Sequence, residues 1–309
     1  MKILLAVLMT AIFISGCGNE SSTHYERTEK IMGTLVTLKA QGKNSQVAVD
    51  ESFDKIFALV DNIQADVKKL NESAGSGEFV KVSHDVFAIL KLSQHYSELT
   101  DGAFDVTVGA AVDLWRNARQ SGTLPSPEEL DSVKKLVGYK HLLLNEADQS
   151  AKPDLAGMKV NLGGVGKGYG ADIARKIFEK YKISDGLIDF GTSTIYAFGE
   201  KKIGIKNPRN VNEIARIIKL ENAALSTSGD YEQFFMVRDR RCHHIINPKT
   251  CSPTDNGIAS VSVMISGNVE NCGAVADISS TAVLVLGEES GSNFLKNLPV
   301  ESVIISSRD

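Results

Sequence analysis

Asp277 and Thr281 stand four residues apart in Asn271-Cys-Gly-Ala-Val-Ala-Asp277-Ile-Ser-Ser-Thr281-Ala, at the start of an apolar run. A carboxylate and a hydroxyl oxygen suit a hard cation such as Mg2+, which keeps several waters and often bridges to phosphate. On a helix this spacing places both groups on one face. The plain alternative makes Asp277 a capping or loop residue and Thr281 a hydroxyl satisfied within its own helix.

Gly163-Gly-Val-Gly-Lys167-Gly-Tyr-Gly170 offers different chemistry. Glycines let a backbone approach a ligand closely, free amides at a helix start favour phosphate, and Lys167 adds positive charge. Lys167 is not followed by Ser or Thr, and the glycine spacing fits neither a Walker loop nor a dinucleotide fingerprint. A tight structural turn is the competing reading. Arg241-Cys-His243-His244-Ile-Ile-Asn-Pro-Lys-Thr-Cys251 places two histidines side by side. Neighbours on a strand point to opposite faces, so one at most serves a given site and the other is left to solvent. Asp101-Gly-Ala-Phe104-Asp105 and the hydroxyl-rich loop Ser226-Thr-Ser-Gly-Asp230 complete the candidates. Asp101 alone reads equally as a turn residue, and Phe104 as core.

These residues need elements to hold them. Val49, Phe53, Ile56, Phe57, Val60, Ile63, Val67 and Leu70 recur at helical spacing and predict a long amphipathic helix over 46–71. A second helix is expected over 86–96, a third over 169–181 and a fourth over 274–286. Strands are expected at 34–40, 186–190, 202–205, 214–220 and 258–265. Residues 159–162 read as extended chain entering the glycine cluster. Residues 121–132, with Pro125 and Pro127, read as a turn-rich bridge between two lobes. This mixed order argues α+β or mixed α/β architecture rather than a bundle or sandwich.

The chain has 309 residues, 42% hydrophobic and 23% charged, enough for one large domain or two closely joined lobes. Thirty-four basic against 38 acidic residues, with no long basic block, argue against a nucleic-acid partner. Lys2 and the apolar run from Ile3 to Ile14 are too short to span a bilayer. The sequence then reads Ile14-Ser-Gly-Cys17, with small residues directly before the cysteine and a polar stretch after it. This resembles a bacterial lipoprotein signal over 1–16, with acylated Cys17 (palmitate included) heading a tether over 17–27. An ordinary cleaved secretory peptide is the alternative. Two or more acyl chains would hold the body firmly at a membrane surface. Cys242, Cys251 and Cys272 lack the paired spacing of a zinc or iron-sulfur site. Cys242 with Cys251 would close a small disulfide loop, and free or buried thiols are the equal alternative.

Taken together, Met32-Gly-Thr, Thr100-Asp-Gly-Ala-Phe-Asp105-Val-Thr-Val-Gly, Gly163 to Asp172, Thr227-Ser-Gly-Asp-Tyr231, His244-Ile-Ile-Asn-Pro-Lys-Thr and Ala276-Asp277-Ile-Ser-Ser-Thr281-Ala resemble the ApbE family. These are the FAD:protein FMN transferases. The resemblance implies one α+β, T-fold-like domain over 28–309, with mixed sheets and helices in two closely joined lobes. It further implies an enzyme on the extracytoplasmic, periplasmic face of the cytoplasmic membrane. With FAD and Mg2+, such an enzyme transfers FMN to a threonine hydroxyl of a target protein and releases AMP. The expected acceptors are flavin-carrying subunits of membrane redox complexes. Met32, Ala103, Phe104, Asp105, Lys167, Ile173 and Cys251 fall on the flavin nucleotide. Asp277 and Thr281 fall on the metal, with a backbone oxygen near Gly170 as the third ligand. His244, or in competition Asp277, is the implied base for the acceptor hydroxyl. Asn247 replaces the usual aspartate, Cys251 the usual glycine, and Gly191-Thr-Ser-Thr an expected glycine pair. The usual serine-rich acidic stretch is reduced to Asp66-Val-Lys-Lys-Leu-Asn71. Mg2+-dependent hydrolysis of FAD to FMN and AMP, or flavin binding without catalysis, are the alternative functions.

Overall fold

The structure is a computed structural model that describes residues 23–191, 193–210, 212–238, 240–296 and 298–307. The expected signal and Cys17 lie outside the described residues. The chain opens with strands β1 (His24–Ile31) and β2 (Thr34–Gln41), helix α1 (Ser45–Ser73), β3 (Val80–Lys81) and α2 (His84–Leu99). There follow α3 (Gly109–Ser121), α4 (Pro127–Lys134), β4 (Leu142–Asn145), β5 (Ser150–Pro153) and α5 (Gly166–Lys180). Next come β6 (Asp185–Phe190), β7 (Thr194–Lys206), β8 (Ile214–Gly229), β9 (Phe234–Val237) and β10 (Arg240–His243). The chain ends with β11 (Ile246–Asn247), β12 (Ser252–Pro253), β13 (Ile258–Ser266), α6 (Cys272–Leu286), α7 (Glu288–Leu295) and β14 (Val300–Ser307). The architecture is α+β, as expected. No helix among the described residues is long and apolar enough to cross a membrane.

Seven strands form one antiparallel sheet in the order β1-β2-β6-β7-β8-β13-β14. Helices α1, α5 and α6 pack together over one face, with Phe53, Phe178 and Phe190 fully buried between the layers. Each such side chain contributes about 1.5–3 kcal/mol by leaving water. The periodicity of α1 is realised, with Val49, Phe53, Ile56 and Leu70 fully buried. Phe57 lies off that face, 38% exposed, and Leu59 takes the buried place.

The β7–β8 hairpin doubles back over the other face. Its paired stretch runs from Thr194↔Ser226 to Lys206↔Ile214. A straight hairpin of that length would hold its tip about 40 Å from the far end of β8, at about 3.3 Å per residue. Yet Arg209 at the tip forms a bidentate pair with Asp230, 2.9 and 3.0 Å, just past the end of β8. The bend falls at a register shift between Ala197 and Glu200, where Gly199 and Asn222 both have positive φ. Ile203, Ile205, Ile218 and Leu220 of the returning arm thereby cluster with Ile195, Ala197 and Leu225 of the sheet.

Several expectations change. Residues 24–27, read as tether, belong to β1, an edge strand whose Glu26, Arg27, Glu29 and Lys30 keep it polar. The segment 121–132 is not simply a turn-rich bridge, because Pro127 stands in the first turn of α4 and Ser126 with Glu129 forms a capping box. Ser226-Thr-Ser-Gly is not a loop but the end of β8. Residues 159–162 form no strand, only an isolated parallel bridge between Val108 and Lys159. The buried side chains form one principal core, a smaller one around Trp115, Ala111, Cys242 and Cys251, and a third between the folded-back hairpin and the sheet. All three cysteines from 242 onward are buried and free.

Candidate active site

Where α1, α5, α6 and the strand ends meet, a cleft of about 710 Å3 opens. That lies within the range of roughly 300–1,000 Å3 typical of ligand and cofactor sites. Met32, Ala103, Phe104, Asp105, Lys167, His244, Asp277 and Thr281 all line it, so eight expected residues from five distant segments converge. Gly170, Ile173 and Cys251 are not among its lining residues. A side chain at Gly170 would meet the ring of Phe190, so this glycine serves the packing of α5 on the sheet. Ile173 packs against the principal core. Cys251 is fully buried in the small core, where its carbonyl accepts a bond from Trp115 Nε1 at 2.7 Å. Its φ of +52° explains why glycine suits this position.

Met32 and Gly33 form the two-residue turn between β1 and β2, both with positive φ, 51° and 76°. Such a turn matches strand twist, but a non-glycine residue in its first place is strained by about 1–2 kcal/mol. The turn places the Met32 side chain in the cleft wall. Ile63 and Val67, from α1, add apolar surface beside it.

Asp105 is more structural than its position first implies. Its Oδ1 accepts from the amide and hydroxyl of Thr107, both at 2.7 Å, and Oδ2 accepts from the Tyr139 amide at 2.7 Å. Burial raises its pKa despite these three donors. The carboxylate therefore staples the Phe104 loop to residue 139, leaving the backbone of 103–105 to face the cleft.

Helix α5 starts at Gly166, earlier than its apolar pattern shows, with no side-chain cap from Val165. The amides of Gly164 and Lys167 have no acceptor among the described residues. A helix start with free amides is a ready anion site. Lys167 Nζ reaches the Gly163 carbonyl at 3.3 Å and makes no ion pair among the described residues. Opposite stand Asp277 and Thr281. Asp277 Oδ2 accepts from the Gly168 amide at 3.1 Å, and Oδ1 lies 3.3 Å from Ser226 Oγ. Thr281 Oγ1 lies 3.0 Å from Ser228 Oγ. These two oxygens fit Mg2+, which needs few protein ligands when phosphate and water complete its shell. Gly164, rather than Gly170, is the glycine beside them: a Cβ there would stand 3.7 Å from Thr281 Oγ1. No cluster of three His, Cys, Asp or Glu residues occurs among the described residues, so a site richer in carboxylates is not the geometry here.

His243 and His244 part company as their alternation requires, though not as expected in detail. His243 is buried rather than solvated, with Nε2 2.8 Å from the Thr254 carbonyl. His244 lines the cleft with an exposed ring, its Nδ1 3.3 Å from the Gln233 carbonyl. A carbonyl only accepts, so Nδ1 carries the proton in that bond and Nε2 keeps its lone pair. Enclosure by the cleft walls, then the neighbouring His243 and the Lys167 ammonium, lowers the His244 pKa to about 4. Solvent at the exposed ring edge moderates that shift, but its direction leaves the imidazole neutral at pH 7.

Sequence reasoning passed over Ser228, Gly164, Ile63 and Arg116, all in the cleft lining. Ser228 was legible only as one hydroxyl among several. Its importance comes from strand alternation, which the loop reading of 226–229 hid.

The chain is similar to known proteins along most of its length. The sequence model described as the ApbE family matches residues 32–304. A relative from Treponema pallidum (strain Nichols), named FAD:protein FMN transferase, is 26% identical over 316 aligned positions, covering 93% of this chain and 85% of its own. A relative of the same name from Escherichia coli (strain K12) is 27% identical, with coverage of 94% and 89%. The crystal structure of the ApbE protein from Thermotoga maritima superposes with a TM-score of 0.79 at 27% identity, covering 92% of this chain and 97% of that one. The flavin transferase ApbE from Vibrio cholerae gives 0.77 at 25% identity, with coverage of 93% and 94%. With its fold, its cleft and the span of this match in agreement, the chain belongs to the ApbE family.

Proposed function

We propose that this chain is an Mg2+-dependent FAD:protein FMN transferase that esterifies a threonine hydroxyl of an acceptor protein and releases AMP. The observation that carries the reading is the convergence of Lys167, His244, Asp277 and Thr281 on one cleft. The named activity of the curated relatives supports it. FAD binds with its pyrophosphate at the start of α5, where the Gly164 and Lys167 amides and the Lys167 ammonium meet its charge. Asp277 and Thr281 hold Mg2+, which supplies neutralisation of charge on the phosphate oxygens when bound. The acceptor hydroxyl attacks the phosphorus nearest riboflavin, and the bond to the AMP phosphate breaks. The neutral His244 takes the hydroxyl proton through Nε2. Asp277 is the weaker base, since Gly168 and Ser226 already engage its two oxygens.

The lipoprotein-like segment at Cys17 supports a lipid anchor and a periplasmic location, beside flavin-carrying subunits of membrane redox complexes as acceptors. The test incubates the chain lacking residues 1–17 with FAD, Mg2+ and a threonine-bearing acceptor, then reads intact mass, AMP and free FMN. An FMN-sized gain on the acceptor that requires Mg2+ supports transfer. Free FMN without an adduct would make the protein a pyrophosphatase. Unchanged FAD that is nevertheless bound would reduce it to a flavin carrier.

A further inference from the structure

Helices α5 and α6 carry the same short pattern, Gly168-Tyr-Gly-Ala-Asp172 and Gly273-Ala-Val-Ala-Asp277. The two patterns meet each other head to head. A Cβ on Gly168 would overlap the carbonyl oxygen of Gly273, and one on Gly273 would stand 2.6 Å from the carbonyl oxygen of Gly168. The glycines therefore allow backbone-to-backbone contact that no other residue permits. The aspartates complete the exchange. Asp277 of α6 accepts the Gly168 amide in the first turn of α5. Asp172 of α5 accepts the amides of Gly273 and Ala274, at 2.9 and 2.8 Å, in the first turn of α6.

Neither helix has a side-chain cap of its own, from Val165 or from Asn271. A helix start leaves amides that need acceptors, and a carboxylate there also gains from the helix dipole. Each helix thus draws its cap from the other. Asp277 does so at the cleft, whereas Asp172 is 1% exposed and absent from the cleft lining. Arg175 gives Asp172 only a loose countercharge, with Nε 3.8 Å away and itself without a hydrogen-bond partner. The ionised carboxylate is held chiefly by the two α6 amides.

We infer that Asp172 is a positioning residue: by capping α6 it fixes the depth of α6 against α5, and so places Asp277 and Thr281 opposite Lys167. The inference rests on the proposed metal reading for its consequence, though not for its geometry. Asn at 172 keeps the shape but turns one acceptor into a donor facing an amide, so α6 shifts away from α5. The Gly168 amide, which Asp172 does not touch, then loses its bond to Asp277.

The test uses the protein at pH 7.5, wild type and Asp172→Asn, with amide exchange read at Gly168 in the absence of metal. Exchange at Gly168 at least tenfold faster in the folded variant is expected. Exchange at Gly168 that rises no more than exchange at the core amides of β13 would overturn the inference, because general loss of stability speeds them all together. Mg2+ titration of both proteins follows. Affinity reduced at least tenfold in Asp172→Asn is expected, and equal affinity in the two proteins overturns positioning. Absence of Mg2+ binding to the wild type would sink the metal reading, and the Gly168 result would then decide the inference alone. Should Asp172→Asn fail to fold, wild-type exchange decides. Mg2+ binding should then slow exchange at Gly273 and Ala274, and no slowing overturns the coupling.

Discussion

Ser228 Oγ lies 3.0 Å from Thr281 Oγ1 and 2.8 Å from Ser280 Oγ, joining the C-terminal end of β8 to the middle of α6. Because Ser280 also bonds back to the Asp277 carbonyl at 3.0 Å, one strand hydroxyl orients the helix segment that carries both proposed metal ligands. The sheet, and not α6 alone, sets the direction of the Thr281 lone pairs.

Ser228→Ala should therefore weaken Mg2+ binding by about 10–100-fold, the usual loss when the partner of a ligand is removed. Titration calorimetry measures it. A Kd within twofold of wild type would show that Thr281 is oriented without Ser228.

His244→Ala should lower the transfer rate by about 10²–10⁴-fold while FAD affinity holds, the range for loss of a general base. Because the folded His244 pKa is lowered, its base form persists as pH falls below the ordinary histidine range. The acid limb of the rate profile is thus expected well below pH 6.5. A limb at the ordinary histidine value would contradict the enclosed, neutral imidazole.

Asp172 has a stability signature of its own. Burial raises its pKa from 3.8 to about 6, so between those values the folded chain binds a proton that the unfolded chain releases. The stabilisation from that proton is present at low pH and is lost as pH rises through about 6. At about 1.4 kcal/mol per tenfold, it is bounded at about 3 kcal/mol. Urea unfolding of wild type and Asp172→Asn from pH 4 to 8 should show this difference in slope. Parallel curves would mean the carboxyl titrates normally.

Trp115→Phe should cost about 1–3 kcal/mol, because the buried Cys251 carbonyl loses the indole donor that satisfies it. Chemical denaturation reads the change. A loss confined to the area of the missing ring would show that water replaces the indole.

Elements with strong periodicity were legible from the chain, as α1, α2, α6 and β13 illustrate. Their signals are local: apolar residues at fixed spacing beside a turn. The edge strand β1 escaped notice because its solvent faces are charged, and α4 because its two prolines read as breakers when one of them starts a helix. At the site, Lys167, His244, Asp277 and Thr281 stood out by residue type. Gly164 and Gly170 did not separate, since the first lies in the turn before α5 beside Thr281 and the second within the helix against Phe190, and only the helix start at Gly166 tells them apart. The reciprocal capping of α5 and α6 was also hidden, since it joins residues about a hundred positions apart.

The folded-back β7–β8 arm changes where this chain can accept new length. Hairpin tips ordinarily tolerate inserted residues and grafted segments, because little depends on them. Here the tip is clasped to Asp230, two residues beyond Ser228, so lengthening 207–213 would pull on the strand that orients Thr281. The exposed turn at 146–148, between β4 and β5, is tied outward among the described residues only by the surface pair of Glu146 with Lys91, away from the cleft, and is the better place for a tag or inserted domain.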